Sequence, residues 1–360
     1  MISTDVLIIG GGLSGLALAD HLQLRNVDYR LVEARDRFGG RIKVLNCAGG
    51  NFDLGPSWFW PGQPRIEAMA QRFGLSIFDQ YAKGALSYEN EQGEVLRNQG
   101  WSSMQGSLRI QGGMAAIIDS LVALLPVKNL WLNRHIARLV RTGKSIEAFD
   151  ANGELVACAR KVVLALPPRI ASKLTFEPTL PEVAVRNMKS ISTWMAGHAK
   201  FVAVYETPFW RDEGLSGDAM SRHGPMIEMH DASDPGAGLG AIFGFLGVPA
   251  HVRAGQHQAV VDACLAQLTR IFGSRARNPV VANLQDWAFE DETAIEADHV
   301  PPAGHPHYGL PPALSSLWDG QLMFGSTETA DQFGGFLEGA LEAAEYTAEQ
   351  ITAVRSSTAD

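Results

Sequence analysis

Residues 5–15, DVLIIGGGLSG, constrain the fold more than any other stretch of the chain. DVLIIG is a continuous apolar run, as a strand buried on both faces of a parallel sheet requires. Gly10-Gly11-Gly12 then turns the chain. Leu13 to Arg25 carries Leu13, Leu16, Ala17, Leu18, Leu22 and Leu24 at helical spacing, and Asn26 ends that helix. Tyr29 to Val32 reads as a second short strand. Strand, turn, helix and strand within about 30 residues make a βαβ unit. In that setting Gly10-x-Gly12-x-x-Gly15 is a dinucleotide fingerprint. Gly10 permits the turn, Gly12 lets backbone approach a pyrophosphate, and Gly15 allows close helix–strand packing. The helix start at Leu13 and Ser14 offers free N–H groups and a positive dipole end to that anion. Glu33, at the end of the second strand, suits the two hydroxyls of an adenosine ribose and repels a 2′-phosphate.

A chain of 360 residues predicts about two domains and ample core. Apolar residues are 46% and charged residues 19%, a globular composition. The net charge of −9 argues against sequence-blind binding to nucleic acid or anionic lipid. Cys47, Cys158 and Cys264 are odd in number, widely spaced and without a C-x-x-C, which suits a reducing, cytoplasmic setting. No apolar run reaches the roughly 18 residues that span a bilayer. The stretch Asp5 to Ala19 lacks a basic n-region and is broken by glycines, so it reads as fold rather than as a signal peptide.

Further along, 66–74 reads as a helix closed by Gly74, and 76–108 is polar and mixed. Gly112-Gly113 precedes the helix MAAIIDSLVALL, which stops at Pro126. Strand-like stretches follow: LWLN, HIARLV, SIEAFD, ELVACA and KVVLALP, with a hairpin turn at Asn152-Gly153. AKFVAVYE at 199–206 is another strand, 258–272 a helix, QLMFGS at 321–326 a late buried strand, and about 336–352 a final helix. The polar tail 355–360 is expected to fray.

The stretch Glu33-Ala34-Arg35-Asp36-Arg37-Phe38-Gly39-Gly40-Arg41 separates a flavin site from a nicotinamide site. Here the chain resembles the flavin-containing amine oxidase family, which includes monoamine, polyamine and L-amino-acid oxidases. Asp53-Leu54-Gly55-Pro56-Ser57 is similar to that family's second glycine turn near the flavin. GHAKFVAVYETPFW at 197–210 is similar to its substrate-domain strand, and GSTETADQFGGFLEGALEAAE at 325–345 to its C-terminal flavin motif. The segments lie in family order over nearly the whole chain.

The resemblance implies an α/β fold: a Rossmann-type FAD-binding domain on a parallel sheet, with a smaller α+β substrate domain on an antiparallel sheet. The expected division is 1–75, 112–188 and 289–360 for the first, and 76–111 and 189–288 for the second. Gly39, Gly40 and Arg41 match positions at the diphosphate, where Arg41 supplies a fixed positive fork. Ala34 and Arg35 stand beside the ribose acid, and Gly55, Pro56 and Ser57 line the flavin turn. Ile136 matches a backbone contact to adenine. Glu328 matches a motif acid that orients ribityl or pyrophosphate groups. Leu337, with Phe336 before it, begins a helix whose N–H groups face the flavin C2 oxygen.

Lys200 shares an apolar strand face with Val202 and Val204 by period 2. It matches the family's lysine that holds a water near flavin N5; the alternative is an edge-strand lysine that guards against aggregation. Trp287 matches the family's tryptophan close to the flavin ring. Trp58, Phe59 and Trp60 cannot all face one core, so Trp58 and Trp60 are candidate substrate contacts.

Three departures matter. Family members often set two aromatic rings before the flavin to guide the amine; here Phe336 stands at one position and, near Ala297, the other is absent. No cysteine lies in 285–300, so FAD is expected to be non-covalent. A long helical part of the substrate domain is missing between the counterparts of Arg97 and Arg109, which leaves the cavity more open or closed by a partner chain. His299, His305 and His307 read as a solvated Pro-rich loop and no metal is expected.

The reading is an FAD-dependent amine oxidase acting on a small molecule, by hydride transfer to flavin N5 with oxygen as acceptor. No nucleic-acid or membrane partner is expected, and a homo-oligomer is left open. Two alternatives stand beside it. One is an FAD-dependent desaturase of the carotenoid or protoporphyrinogen type, favoured by an apolar wall of Trp58, Phe59, Trp60 and Phe336. The other is a flavin-binding accessory protein without turnover.

Overall fold

The computed structural model describes residues 3–356. In chain order its strands are β1 (Ser3–Ile9), β2 (Tyr29–Val32), β3 (Val44–Cys47), β4 (Gly50–Asp53), β5 (Ile77–Asp79), β6 (Ala85–Glu89), β7 (Val95–Arg97), β8 (Leu108–Ile110), β9 (Leu130–Trp131), β10 (Ile136–Thr142), β11 (Ser145–Asp150), β12 (Leu155–Leu164), β13 (Thr175–Glu177), β14 (Ala199–Tyr205), β15 (Leu215–Ser221), β16 (Met226–Asp231), β17 (Gly240–Leu246), β18 (Val281–Asp286) and β19 (Leu322–Phe324).

The apolar run at the start becomes the middle of the larger sheet, whose order is β13-β10-β11-β12-β1-β2-β9. β1 pairs in parallel with both β2 and β12, and helix Leu13–Leu24 makes the β1–β2 crossover. β12 changes neighbour along its length. Its first half lies antiparallel to β11, and Val162 to Leu164 lie parallel to β19. One face of this sheet is covered by helix Leu13–Leu24, helix Ala115–Leu124 and the last helix, Leu337–Ser356, around Leu16, Leu22, Ile117 and Leu341. A Cβ on Gly15 would lie 1.9 Å from the Gly10 carbonyl oxygen, so the helix approaches β1 at a distance only glycine allows.

The second sheet has the order β18-β14-β17-β16-β15-β6-β7 and is antiparallel except between β15 and β6. Period 2 decides what β14 does. Ala199, Phe201, Ala203 and Tyr205 face the core under helix His257–Phe272, while Val202 and Val204 join Phe52, Leu54 and Phe243 on the face toward the glycine turns.

The structure amends several expected boundaries. The helix placed at 66–74 is Pro64–Arg72, because Pro64 opens it and Gly74, at φ +64°, lies beyond its end. ELVACA and KVVLALP are one ten-residue strand, β12, and LWLN contributes only Leu130–Trp131. The mixed stretch 76–108 holds β5, β6, β7 and the start of β8. The last helix starts at Leu337 and runs to Ser356, so the predicted frayed tail begins inside it and otherwise lies outside the described residues. Among the described residues no helix is long and apolar enough to cross a membrane.

Candidate active site

The first glycine turn and Glu33 meet as their spacing demands. Gly10 adopts φ +113° and its N–H bonds the Val32 carbonyl at 2.8 Å. Glu33 is buried; its Oε2 accepts the Gly11 N–H at 2.7 Å and its Oε1 the Arg35 N–H at 2.9 Å. Ala34 between them is half-buried. The Gly39-Gly40 turn folds back on this loop, with the Gly39 N–H donating to the Gly11 carbonyl at 2.8 Å. A Cβ on Gly12 would meet nothing nearer than 3.9 Å, so open space lies beside the start of the helix at Leu13 and Ser14. The N–H groups of Asn133 and Arg134 donate to the Arg35 and Glu33 carbonyls, and the buried Ile136 follows at the start of β10.

The two ends of the chain meet at Arg41 and Glu328. Arg41 Nη1 lies 2.7 Å from Glu328 Oε1. The Glu328 side chain is fully buried, and neither carboxylate oxygen accepts a well-formed hydrogen bond from protein. A buried carboxylate so placed calls for a further polar partner. Together with the open space at Gly12, it fits a polar cofactor lying between the first glycine turn and the C-terminal motif. Leu337 begins the last helix there, and the first N–H groups of a helix have no partner within it.

The second glycine turn gathers Lys200 and Trp287. Lys200 Nζ donates to the Gly55 carbonyl at 2.9 Å and to the Ser57 hydroxyl at 2.6 Å. Trp287 Nε1 donates to the Leu54 carbonyl at 3.1 Å, and its ring stands where a Cβ on Gly55 would come to 3.4 Å. That Cβ would also lie 2.0 Å from the Arg41 carbonyl oxygen, so the turn needs glycine. Pro56 completes it. Lys200 is 2% exposed, with Nζ 3.9 Å above the Phe243 ring. Burial pulls its ammonium down to about 7; Asp53 opposes that and Arg109 adds to it. β14 lies between β17 and β18, so the edge-guard explanation of Lys200 falls.

The three adjacent aromatics separate. Phe59 enters the core of the larger sheet. Trp58 packs against His230, Phe243 and Phe245, its Nε1 donating to Gln80 Oε1 at 2.8 Å. Trp60 stands edge-on to Phe336, with centroids 6.2 Å apart. His305 stacks on Phe336 at 4.7 Å, and His299 Nε2 lies 2.9 Å from the Ala288 carbonyl oxygen. The loop is largely exposed, as expected, with His305 and His307 open to solvent and His299 half-buried.

The sequence matches the model for flavin containing amine oxidoreductases over residues 77–352, and that for NAD(P)-binding Rossmann-like domains over 8–73. The chain belongs to the flavin-containing amine oxidoreductase family. This oxidoreductase is FAD-dependent. It is 25% identical to amine oxidase [flavin-containing] B of Sus scrofa over 453 residues, covering 96% of this chain and 86% of the relative. It is 22% identical to putrescine oxidase of Kocuria rosea over 408 residues, covering 81% and 84%. The alignment of 453 residues exceeds the length of this chain, so the pig enzyme carries segments absent here. The fold matches that of cyclohexylamine oxidase from Brevibacterium oxydans IH-35A, with a TM-score of 0.82 at 20% identity over 98% of this chain and 99% of that one.

Two clusters in this amine oxidoreductase escape sequence reasoning. Asp53 ends β4 as a buried acid, and Arg109 in β8 is equally buried; alternation in NFD and LRI sets each opposite an apolar neighbour and so reads it as outward-facing. The other surrounds His230, whose Nδ1 lies 3.0 Å from Asp218 and whose Nε2 lies 3.1 Å from Glu228. Burial pulls that imidazole down, but its hydrogen bonds to Asp218 and Glu228 outweigh it and raise it. Ser102 donates to Asp218 and Ser103 to Glu228. The short segment 98–107 is thereby tied to β15 and β16 of the second sheet.

Proposed function

We propose that the protein oxidises an amine, with FAD held non-covalently by the part comprising 1–75, 112–188 and 289–360, and substrate met by 76–111 and 189–288. The observation that carries this reading is the convergence of Lys200 and Trp287 on the Gly55–Ser57 turn. Bound FAD would supply the two-electron acceptor chemistry by which amine and oxygen become imine and hydrogen peroxide. Water then hydrolyses the imine to an aldehyde or ketone and releases the nitrogen.

The chain's own residues bind and orient. Glu33 accepts ribose hydroxyls, and the N–H groups at Gly12, Leu13 and Ser14 meet the diphosphate, with Arg41 as its cation. Glu328 supplies an acceptor toward the ribityl or pyrophosphate groups. The helix start at Leu337 places N–H dipoles by the flavin C2 oxygen. Lys200 spends two N–H groups on Gly55 and Ser57 and keeps a third for a water. Trp60 and Phe336, already in contact, form one wall of the amine site.

The scatter of Trp58 and Phe59 into different clusters leaves no continuous apolar wall, which favours an amine over a desaturase substrate. Anaerobic mixing with a panel of amines tests the reading: at least one should bleach the flavin, and oxygen should restore it with one peroxide per turnover. Bleaching by dithionite but by no amine would leave the accessory or desaturase reading standing. Acid precipitation should release all the yellow colour; colour in the pellet would refute non-covalent binding.

A further inference from the structure

The last helix begins one residue after Phe336, and Glu338 in its first turn is fully buried. Its carboxylate reaches across to another helix. Oε2 accepts the Ile66 N–H at 2.9 Å, and Oε1 accepts the Arg65 N–H at 3.1 Å and Arg65 Nη1 at 3.2 Å. Those two backbone N–H groups stand at the start of helix Pro64–Arg72.

The free donors of that helix start number no more than these two. Pro64 has no N–H. The Gln63 N–H donates to the Trp60 carbonyl at 3.1 Å, and the Glu67 N–H to the Gln63 carbonyl at 3.4 Å. Gln63 stands at the cap position, yet its side chain turns back and its Oε1 accepts the Trp60 N–H at 3.2 Å. Arg65 and Ile66 are left, and Glu338 takes both. An anion there also meets the positive end of the helix and the Arg65 guanidinium, which balances a carboxylate held away from water. Arg65 Nε goes on to Glu345 Oε2 at 2.7 Å, one more link to the last helix.

The clamp reaches beyond the two helices. Trp60 is held to the Gln63 turn by bonds in both directions. Phe336, two residues before Glu338, is held to the last helix: its carbonyl accepts the Ala340 N–H at 3.2 Å and the Thr327 hydroxyl at 2.8 Å. Each ring of the Trp60–Phe336 pair, 6.2 Å apart and 81° to one another, thus hangs from one of the helix starts that Glu338 joins. The Phe336 ring has no hydrogen-bonding group, so the backbones set the spacing of the pair.

We propose that Glu338 is a positioning residue for amine binding, which sets the separation of Trp60 and Phe336. The proposal rests on the reading that these rings form a wall of the amine site. Glu338 acts through the two backbones rather than by touching the amine.

The test reads the ring pair directly. FAD-loaded protein is labelled with fluorotryptophan, and the Trp60 line of the 19F spectrum is identified by its loss in Trp60→Phe. Phe336→Leu marks where that line stands without the facing ring. In Glu338→Ala the Trp60 line should move toward that position, while the lines of Trp210 and Trp318, which lie in other parts of the core and are identified in the same way, hold theirs. Glu338→Gln keeps the volume and one acceptor, so it should move the line less, and it carries the test where Glu338→Ala does not fold. With an amine that bleaches the flavin, KM should rise about tenfold in Glu338→Ala, and less in Glu338→Gln, with kcat changed by less than about threefold, the mark of lost binding rather than lost chemistry. A Trp60 line unmoved in both variants, or a loss in kcat at unchanged KM, would overturn the proposal. If the line moves but no amine bleaches the wild-type flavin, the amine reading fails and the link between the two helices stands.

Discussion

Arg41 Nη1 lies 2.7 Å from Glu328 Oε1, joining residues from opposite ends of the chain. Arg41 hangs from the turn after the first strand pair, and Glu328 from the segment between β19 and the last helix. The acid is fully buried while the arginine is 28% exposed, so the pair is asymmetric: the acid depends on the arginine more than the reverse.

Removing Arg41 alone should therefore cost more than removing both. Breaking a buried pair by taking one partner costs about 3–5 kcal/mol, because the other charge is left uncompensated. Arg41→Met should destabilise the FAD-free protein by that order, discounted for the partly exposed guanidinium, and Arg41→Met with Glu328→Gln should recover about 1–3 kcal/mol. Urea unfolding of the two single variants and the double variant measures the coupling. Additive losses would mean that the two side chains do not act as a pair.

Glu33 has two tasks in the structure, tying down Gly11 and presenting acceptors to a ribose. Glu33→Gln keeps the shape and one acceptor but loses the charge. Charge-assisted bonds are worth about 1.5–3 kcal/mol, so FAD affinity should fall by about one to two decades. Equilibrium dialysis of FAD against both proteins gives the ratio, and equal affinities would place Glu33 away from the cofactor.

His230 makes a pH prediction with a definite sign. Its hydrogen bonds to Asp218 and Glu228 raise it above the ordinary histidine value of 6.5 in the folded protein. A group raised on folding contributes fully below its unfolded value and loses that contribution as pH rises through the folded one. Glu228, lowered by its bond to His230, works the other way and loses its contribution as pH falls below about 4.5. The stability difference between wild type and His230→Gln should thus be largest near pH 6 and shrink as pH rises. Cleavage within 98–107 by a protease should quicken over the same range, since Ser102 and Ser103 hold the strap to this cluster. A difference independent of pH would mean that His230 is neutral in the fold.

What was legible in the sequence followed from local rules. Gly10, Gly12, Gly15 and Glu33 sit within one βαβ unit, where strand, turn and helix fix one another, and the structure places them as spacing required. Lys200 was legible for the same reason: period 2 on one strand puts it beside Val202 and Val204. The link from Arg41 to Glu328, the stack of His305 on Phe336 and the strap on Asp218 and Glu228 were not. Each pairs residues far apart in the chain, and no local periodicity encodes which distant side chain arrives. The aromatic run 58–60 shows the limit. Alternation told that the rings must diverge, but not that Trp58 would go to His230 and Trp60 to Phe336.

Lys200→Met separates a role in chemistry from a role in the fold. Methionine keeps much of the aliphatic stem over Phe243 and loses the ammonium, so folding should change by about 1–2 kcal/mol and FAD should stay bound. Burial lowers Lys200 to about 7 in the folded protein, far below an unfolded lysine. Between those values the unfolded chain holds a proton that the folded chain has lost, so wild-type stability gains from this residue as pH rises, a gain that Lys200→Met lacks. Function has the opposite slope. If the ammonium stabilises the negative charge that develops on oxygen as it takes electrons, wild-type reoxidation should slow as pH rises through about 7. In Lys200→Met reoxidation should be slow throughout and flat with pH over that range. Stopped-flow mixing of the reduced enzyme with oxygen at several pH values reads both. A wild-type rate with a wild-type pH profile would remove Lys200 from the mechanism and leave it a buried strut that ties β14 to the second glycine turn.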